Sequence, residues 1–305
     1  MRVGVTGGTG FVGQYLIRDY GREYDFIVPI RHSADGSSCR ANATYIESDF
    51  SVESLKNSFR GCDAVIHLAA RGMPKDRCPL KMEDYISNVV CAAHVLETCK
   101  QLGIRRVVCV SSKAVWGEKH CVDGTELMEM MTVAPDDEYG VSKVCVESLV
   151  NFYCQTYGMN IITYRMGEVC GIDLNRGMLN PFWNVVLKNA VEKQPIPIYG
   201  TGVSKRDLIY VKDVTRALVR GVQSENVGIY NIGSGNLVTN LEIAQMFCDV
   251  FENKAGIKYY PEKEEWGTTL CLCVEKVRNE MGYEIDYTLN EIVKDIRAEY
   301  QRYPK

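Results

Sequence analysis

Histidine is scarce in this sequence, with four residues in 305. They are scattered, and no C-x-x-C pair occurs; the closest cysteine spacing is Cys271-x-Cys273. That pattern argues against a zinc site. No apolar run approaches the ~18 residues of a membrane span. No long basic run occurs, and the net charge is −4. Neither nucleic acid nor an anionic membrane is therefore expected as a partner. Internal repeats, low-complexity segments and flexible linkers are also missing. The chain begins MRVGVTGGTG, entering a strand and a glycine turn directly, so no signal peptide is expected.

Cysteine, by contrast, is abundant. Thirteen are present, an odd number, and many lie in apolar runs such as RVVCV around Cys109. They read as reduced core residues of a cytoplasmic protein. Hydrophobic residues make up 46% and charged residues 24%, which is ordinary for a soluble globular chain with a sizeable core. The length suits one large domain or two small ones.

The first half alternates short strands with helices. Strands are predicted over 2–6, 25–30, 44–46, 64–68, 106–111 and 160–165. Helices are predicted over 11–20, 52–59, 84–102 and 137–157. The strands are continuous apolar runs such as DAVIHLAA and RRVVCVSS, as required when both sheet faces are buried. The alternation predicts a doubly wound parallel α/β sheet of the Rossmann kind. After Arg165 the rhythm changes to glycines, prolines and short strands (GIDLNRGMLNP, KQPIPIYGTG), with helices near 211–222, 241–251 and 289–303. Residues 1–168 read as a dinucleotide-binding domain with a return segment near 206–232. Residues 169–305 read mostly as a smaller, interleaved substrate-binding part.

TGGTGFVG (6–13) follows the first strand and opens the first helix. Gly7, Gly10 and Gly13 let the backbone approach a pyrophosphate, whose charge is favoured at a helix N-terminus; Phe11 and Val12 lie in the same turn. This strand–turn–helix context is what a glycine motif needs to count as a dinucleotide site. The second strand should end in an acid for NAD, because a carboxylate accepts from the ribose 2′-hydroxyl. Here Arg31 and Ser33 stand in that place, and Asp35 comes later. A guanidinium there suits a 2′-phosphate, which leans toward NADP; covering the adenine face is the plainer role for Arg31.

YGVSK (139–143) sets a tyrosine and a lysine one helical turn apart, on one face. An isolated phenol titrates near ~10 and is a poor base at neutral pH, but a cation beside a phenol favours its ionised form. Taken alone, the pair reads most plainly as a solvated helix face.

The set of motifs changes that reading. The chain resembles the extended short-chain dehydrogenase/reductases, the NAD-dependent epimerases, dehydratases and reductases of nucleotide sugars. TGGTGFVG resembles their cofactor turn. SDF sets Asp49, with Phe50, where they hold an acid near the adenine. HLAA brings Leu68, Ala69 and Ala70 to the cofactor. SSKAVWG (111–117) resembles S-S-x-x-V-Y-G, and YGVSKVCVE resembles Y-G-x-S-K-x-x-x-E. The stretch 195–218 resembles their nucleotide-sugar-holding segment, and YNIGSG (230–235) follows in order. The resemblance implies that Tyr139 is the acid/base and that Lys143 binds the nicotinamide ribose. It also implies that a hydroxyl, Ser112 with Ser111 as the alternative, polarises the reacting oxygen. It further implies substrate contacts from Arg71, Ser112, Lys113, Leu179 and Arg206, the last as a diphosphate clamp. A plain surface pairing of Arg206 with Asp207 is the competing reading.

Departures narrow the chemistry. The family's dehydratases carry an Asp–Glu pair after the catalytic hydroxyl, where this chain has Lys113 and Ala114. Trp116 replaces the usual tyrosine, and Glu168 stands where epimerases often present a phosphate-contacting asparagine. The expected activity is a nucleotide-sugar epimerase, a UDP-sugar 4-epimerase first, with bound NAD or NADP. The alternatives are an NADPH-dependent nucleotide-4-keto-6-deoxysugar reductase and a non-catalytic nucleotide-binding module. Helices 84–102 and 137–157 carry apolar residues on more than one face, and relatives pair these helices across a dimer, so a homodimer is expected.

Overall fold

The computed structural model describes residues 1–31, 42–71, 82–117, 124–173, 177–178, 181–265, 267 and 270–302. In chain order the first half runs β1 (Arg2–Thr6), α1 (Phe11–Tyr20), β2 (Asp25–Ile30), β3 (Ala43–Glu47), α2 (Val52–Phe59), β4 (Ala64–His67), α3 (Met82–Leu102), β5 (Arg106–Ser112), β6 (Glu126–Leu127), α4 (Glu138–Tyr157) and β7 (Asn160–Met166). The second half runs β8 (Glu168–Cys170), β9 (Ile172–Asp173), β10 (Gly177–Met178), α5 (Pro181–Val191), β11 (Ile196–Tyr199), β12 (Lys205–Tyr210), α6 (Val211–Gln223), β13 (Gly228–Ile232), β14 (Leu237–Thr239), α7 (Asn240–Val250), β15 (Ile257–Tyr260), β16 (Cys271–Leu272), α8 (Glu275–Met281) and α9 (Leu289–Arg302).

Seven strands form one sheet in the order β13-β7-β5-β4-β1-β2-β3, and every pair in it is parallel. Val3, Val5, Ile27, Val65, Ile66, Val107 and Val108 are fully or almost fully buried within it. Each such side chain contributes about 1.5–3 kcal/mol of burial. Leu16 and Ile17 of α1 and Ala217 and Leu218 of α6 join the core on one side. Leu55 and Phe59 of α2, Leu96 of α3 and Val146 and Val150 of α4 join the core on the other. This two-sided covering is why the strands read as unbroken apolar runs. The order reverses between β1 and β4, and ligands of such sheets bind beyond the strand C-termini at that switch point.

A further core gathers Trp183, Val186, Leu208, Phe247, Ile292 and Ile296, with Tyr15 of α1 reaching into it. β12 pairs in parallel with β8 and antiparallel with β14. The chain then returns through α6, and β13 pairs with β7, Tyr230 opposite Tyr164. Cys62, Cys99, Cys109, Cys170, Cys248 and Cys273 are buried. Among the described residues no helix is long and apolar enough to cross a membrane.

Candidate active site

The glycine turn is shaped by close approach. Gly7 has φ +74°, and a Cβ there would lie 2.8 Å from the Ala69 nitrogen; a Cβ on Gly13 would lie 2.4 Å from the Gly7 carbonyl oxygen. The turn is thus pressed between β1 and the end of β4, where the Leu68 N–H donates to the Thr6 carbonyl and the Ala69 N–H to the Thr6 hydroxyl. At Gly10, by contrast, a Cβ would meet only the Gly7 oxygen, at 3.2 Å. Gly10 caps α1 without any side-chain hydrogen bond, and no acid lies in the first turn. A helix start with bare N–H groups and no competing carboxylate fits a dinucleotide pyrophosphate.

The residues expected around the adenosine come from the end of β2 and the segment after β3. Asp49 is exposed, and its carboxylate accepts from the Ser51 N–H at 2.8 Å. Hydrogen bonds from Ser51 hold its pKa below the usual range. Phe50 adopts φ +65°, a conformation that residues other than glycine rarely take. Its carbonyl is bonded by His94 Nδ1 at 2.8 Å. The Arg31 guanidinium sits 5.4 Å from the Phe50 ring centre, so Arg31 is placed as a cover over that ring. Ser33 and Asp35 lie outside the described residues.

Tyr139 and Lys143 share one face of α4, as their spacing requires. Asp137 caps this helix, accepting from the Gly140 N–H at 2.6 Å. Gly140 packs against the loop after β5 so tightly that a Cβ would lie 2.4 Å from the Ala114 carbonyl oxygen. This contact draws the start of α4 against the short 3-10 turn Lys113–Val115, which Ser112 caps by accepting from the Ala114 N–H at 3.2 Å. Tyr139 is half-buried and Lys143 buried. Lys143 Nζ donates to the Val110 carbonyl at 2.9 Å and lies 5.5 Å from the centre of the Tyr139 ring. Beneath it, His67 shares a 2.7 Å hydrogen bond with the Thr6 hydroxyl. Burial, with the Lys143 charge adding to it, pushes the His67 pKa down to about 3. His67 is therefore neutral at physiological pH and adds no second cation beside the phenol.

The two candidate hydroxyls part company. Ser111 is buried and donates to Glu147 Oε1 at 2.6 Å, which turns it away from the sheet edge into a structural network. Ser112 is half-buried, and as the next strand residue it points to the other face of β5. Glu147 is two turns beyond Tyr139 and binds Arg165 in a fork, at 2.9 Å to Nε and 2.7 Å to Nη2. Arg165 also donates to the Glu129 carbonyl at 3.1 Å and lies 4.5 Å from the Trp116 ring centre. Trp116 is buried with Val115, Leu127, Leu270 and Leu272. It is a core residue under the loop and does not line the site. The sequence motifs assign no role to Glu147 or Arg165; the Y-G-x-S-K-x-x-x-E spacing is the available signal for the first.

The expected substrate residues meet different fates. The Arg71 side chain is exposed and paired with Asp84, while its backbone N–H donates to Asn88 Oδ1 at 2.7 Å. Lys113 stays beside Ser112, and its charge offsets part of the burial that raises the Asp207 pKa. Arg206 does not pair with Asp207. Successive strand residues point to opposite faces, and Asp207 accepts from the Ser234 N–H at 2.9 Å and the Leu272 N–H at 2.8 Å. Arg206 Nη1 instead donates to both carboxylate oxygens of Glu168 at 3.0 Å. Leu179 lies outside the described residues.

The model of the NAD dependent epimerase/dehydratase family matches residues 3–233. A UDP-glucose 4-epimerase of Corynebacterium glutamicum is 26% identical, over 98% of this chain and 95% of its own. A dTDP-glucose 4,6-dehydratase of Haemophilus influenzae is 29% identical, over 95% and 90%. Among solved structures, the UDP-N-acetylglucosamine 4-epimerase of Bacillus cereus superposes with a TM-score of 0.83 at 25% identity, covering 98% of each chain.

Proposed function

Because this chain belongs to the NAD dependent epimerase/dehydratase family, we propose that it is a nucleotide-sugar 4-epimerase acting on a UDP-sugar. The supporting observation is the grouping of Ser112, Tyr139 and Lys143 at one sheet edge beside the open start of α1, with Lys113 and Ala114 following the hydroxyl. Elimination of water needs an acid and a base next to the reacting carbon, and neither Lys113 nor Ala114 is a carboxylic acid.

The residues of α1 and the turn 6–13 would hold the pyrophosphate of NAD, with Asp49, Phe50 and Arg31 around the adenosine and Lys143 at the nicotinamide ribose. When bound, the nicotinamide supplies a reversible hydride acceptor for the sugar C4. Tyr139 Oη takes the proton of the C4 hydroxyl and later gives one back. Lys143, its ammonium anchored on the Val110 carbonyl, keeps positive charge beside the ring throughout. Ser112 Oγ donates to the C4 oxygen and steadies it as it changes between hydroxyl and carbonyl. The sugar is free to turn between the two proton transfers, because these groups hold only the C4 oxygen.

A second reading, a nucleotide-4-keto-6-deoxysugar reductase using NADPH, is favoured by Arg31 at the end of β2. One experiment separates the two. Purified protein is incubated with UDP-glucose and the products are resolved by ion-exchange chromatography, while absorbance at 340 nm follows the cofactor. The epimerase reading expects UDP-galactose with no net change in reduced cofactor. Stoichiometric NADPH oxidation on a 4-keto sugar nucleotide, without epimer formed from UDP-glucose, overturns it. In binding titrations of both proteins, Arg31→Ala should weaken NADP about tenfold to hundredfold more than NAD if Arg31 meets a 2′-phosphate. Equal loss of both leaves Arg31 as a cover for Phe50.

A further inference from the structure

The guanidinium of Arg206 is held on several sides by its own chain. Its side chain is 8% exposed. Nε donates to Asn240 Oδ1 at 2.8 Å, and the planar face lies 5.0 Å from the Phe182 ring centre. Glu168 places both carboxylate oxygens 3.0 Å from Nη1. Glu168 is on β8, opposite Leu208 in register. It lies two residues beyond Met166, which pairs with Ser112. The ion pair therefore follows directly on the strand end that pairs with the proposed catalytic hydroxyl.

A buried guanidinium needs a partner charge, and breaking such a pair from one side is costly. In this chain the partner is supplied from within. The same Nη1 that a phosphate oxygen would use is taken by a carboxylate, and the pair as a whole is electrically neutral. Glu168 is the more exposed member, at 20%. Arg206 is held besides by Asn240 and Phe182.

On the reading of this site as one for nucleotide-diphosphate sugars, we propose that Glu168 is a built-in competitor for Arg206. A diphosphate reaches Nη1 only by displacing the carboxylate, and Glu168 thereby weakens the hold of the chain on its substrate. The consequence is a weaker, more readily released nucleotide than Arg206 alone would hold, and an identifiable residue that controls it.

Calorimetric titration of UDP into the full-length protein tests this. Glu168→Gln keeps the side chain's shape and one acceptor for Nη1 while removing the competing charge. UDP should bind the Glu168→Gln protein about tenfold to hundredfold more tightly, the range of one charge-assisted contact regained. Uridine, which has no phosphates, should bind both proteins alike. Adding Arg206→Gln to Glu168→Gln should abolish the gain. Retained NAD binding and a single cooperative melting transition, at a temperature lowered by loss of the ion pair, establish that the variant is folded; should Glu168→Gln fail to fold, Glu168→Asn is read in the same way. If the parent binds UDP and Glu168→Gln binds it equally or more weakly, the competitor role is overturned and the epimerase reading stands. If neither protein binds UDP while both bind NAD, the nucleotide-sugar reading falls together with this one.

Discussion

Tyr139 and His67 carry the clearest consequences at the scale of single residues. Tyr139→Phe removes the hydroxyl and keeps the ring that packs 6.2 Å from Tyr85. A positioned acid/base group contributes about 100–10,000-fold, so turnover should fall by that order while NAD binding persists. Near-normal turnover, measured alongside a cofactor titration, would remove Tyr139 from the mechanism. His67 predicts a pH effect. Its pKa falls from 6.5 to about 3 on folding, so the unfolded chain takes up a proton below pH 6.5 that the folded chain refuses until about pH 3. Stability from this group is complete above pH 6.5 and drains away as pH falls. Between pH 7 and 5 the loss is about 2 kcal/mol. His67→Asn puts a non-titrating amide near the Thr6 hydroxyl and should lose less stability over that interval by about this amount, read from urea midpoints at the two pH values. An identical pH slope in parent and variant would contradict the assignment.

Among the elements, α4 does most to build the site. It carries Tyr139 and Lys143 on one turn and Glu147 two turns on, and it sits where it does because Gly140 allows its backbone to touch the Lys113–Val115 turn. The Ala114 oxygen is backbone and cannot swing aside from a new methyl group 2.4 Å away. Gly140→Ala should therefore push the helix start and the Ser112 turn apart. Overpacking of this kind costs about 1–3 kcal/mol. Catalysis should suffer further, because in the proposed mechanism Ser112 and Tyr139 act on the same oxygen. Melting temperature and kcat measured well below the melting range check both parts. A Gly140→Ala protein unchanged in either respect would show that the contact relaxes without consequence.

For the whole molecule, α3 and α4 pack on the sheet and on each other through Ala92, Val95, Leu96, Val146 and Val150. Their outer faces still expose Ile86 (51%), Val90 (45%), Val141 (40%) and Phe152 (49%). Ile86 and Val90 are one turn apart, as expected of a stripe on one helix face. A second copy of the chain, pairing α3 and α4 with their equivalents, would cover these side chains, and a homodimer is expected. Sedimentation equilibrium at micromolar concentration should give a mass near twice that of the chain. Val90→Glu should shift it toward the monomer. A parent protein that is monomeric at that concentration ends the expectation.

The strand–helix alternation, the glycine turn and the Tyr139–Lys143 pair are all legible in the order of residues alone, because each depends on local spacing. Apolar runs of four to seven residues specify strands buried on both faces, and four residues make one helical turn. Strand and helix ends fall within two residues of those expected, as for α3, which begins at Met82 rather than Asp84. What the sequence leaves open are choices between neighbours that differ only in the direction a side chain takes. Ser111 and Ser112 are adjacent and chemically identical, and only the packing of α4 beneath the sheet brings Glu147 to one of them. Arg206 has Asp207 beside it in sequence, yet the alternation of β12 sends the two apart and the pairing of β12 with β8 delivers Glu168 from 38 residues away. Trp116 stands where the family has a tyrosine, and in the fold Arg165 and the Leu127–Leu272 cluster close over it. Local periodicity is written along the chain, whereas partners for buried charge are chosen by strand order and register, which only the folded sheet defines.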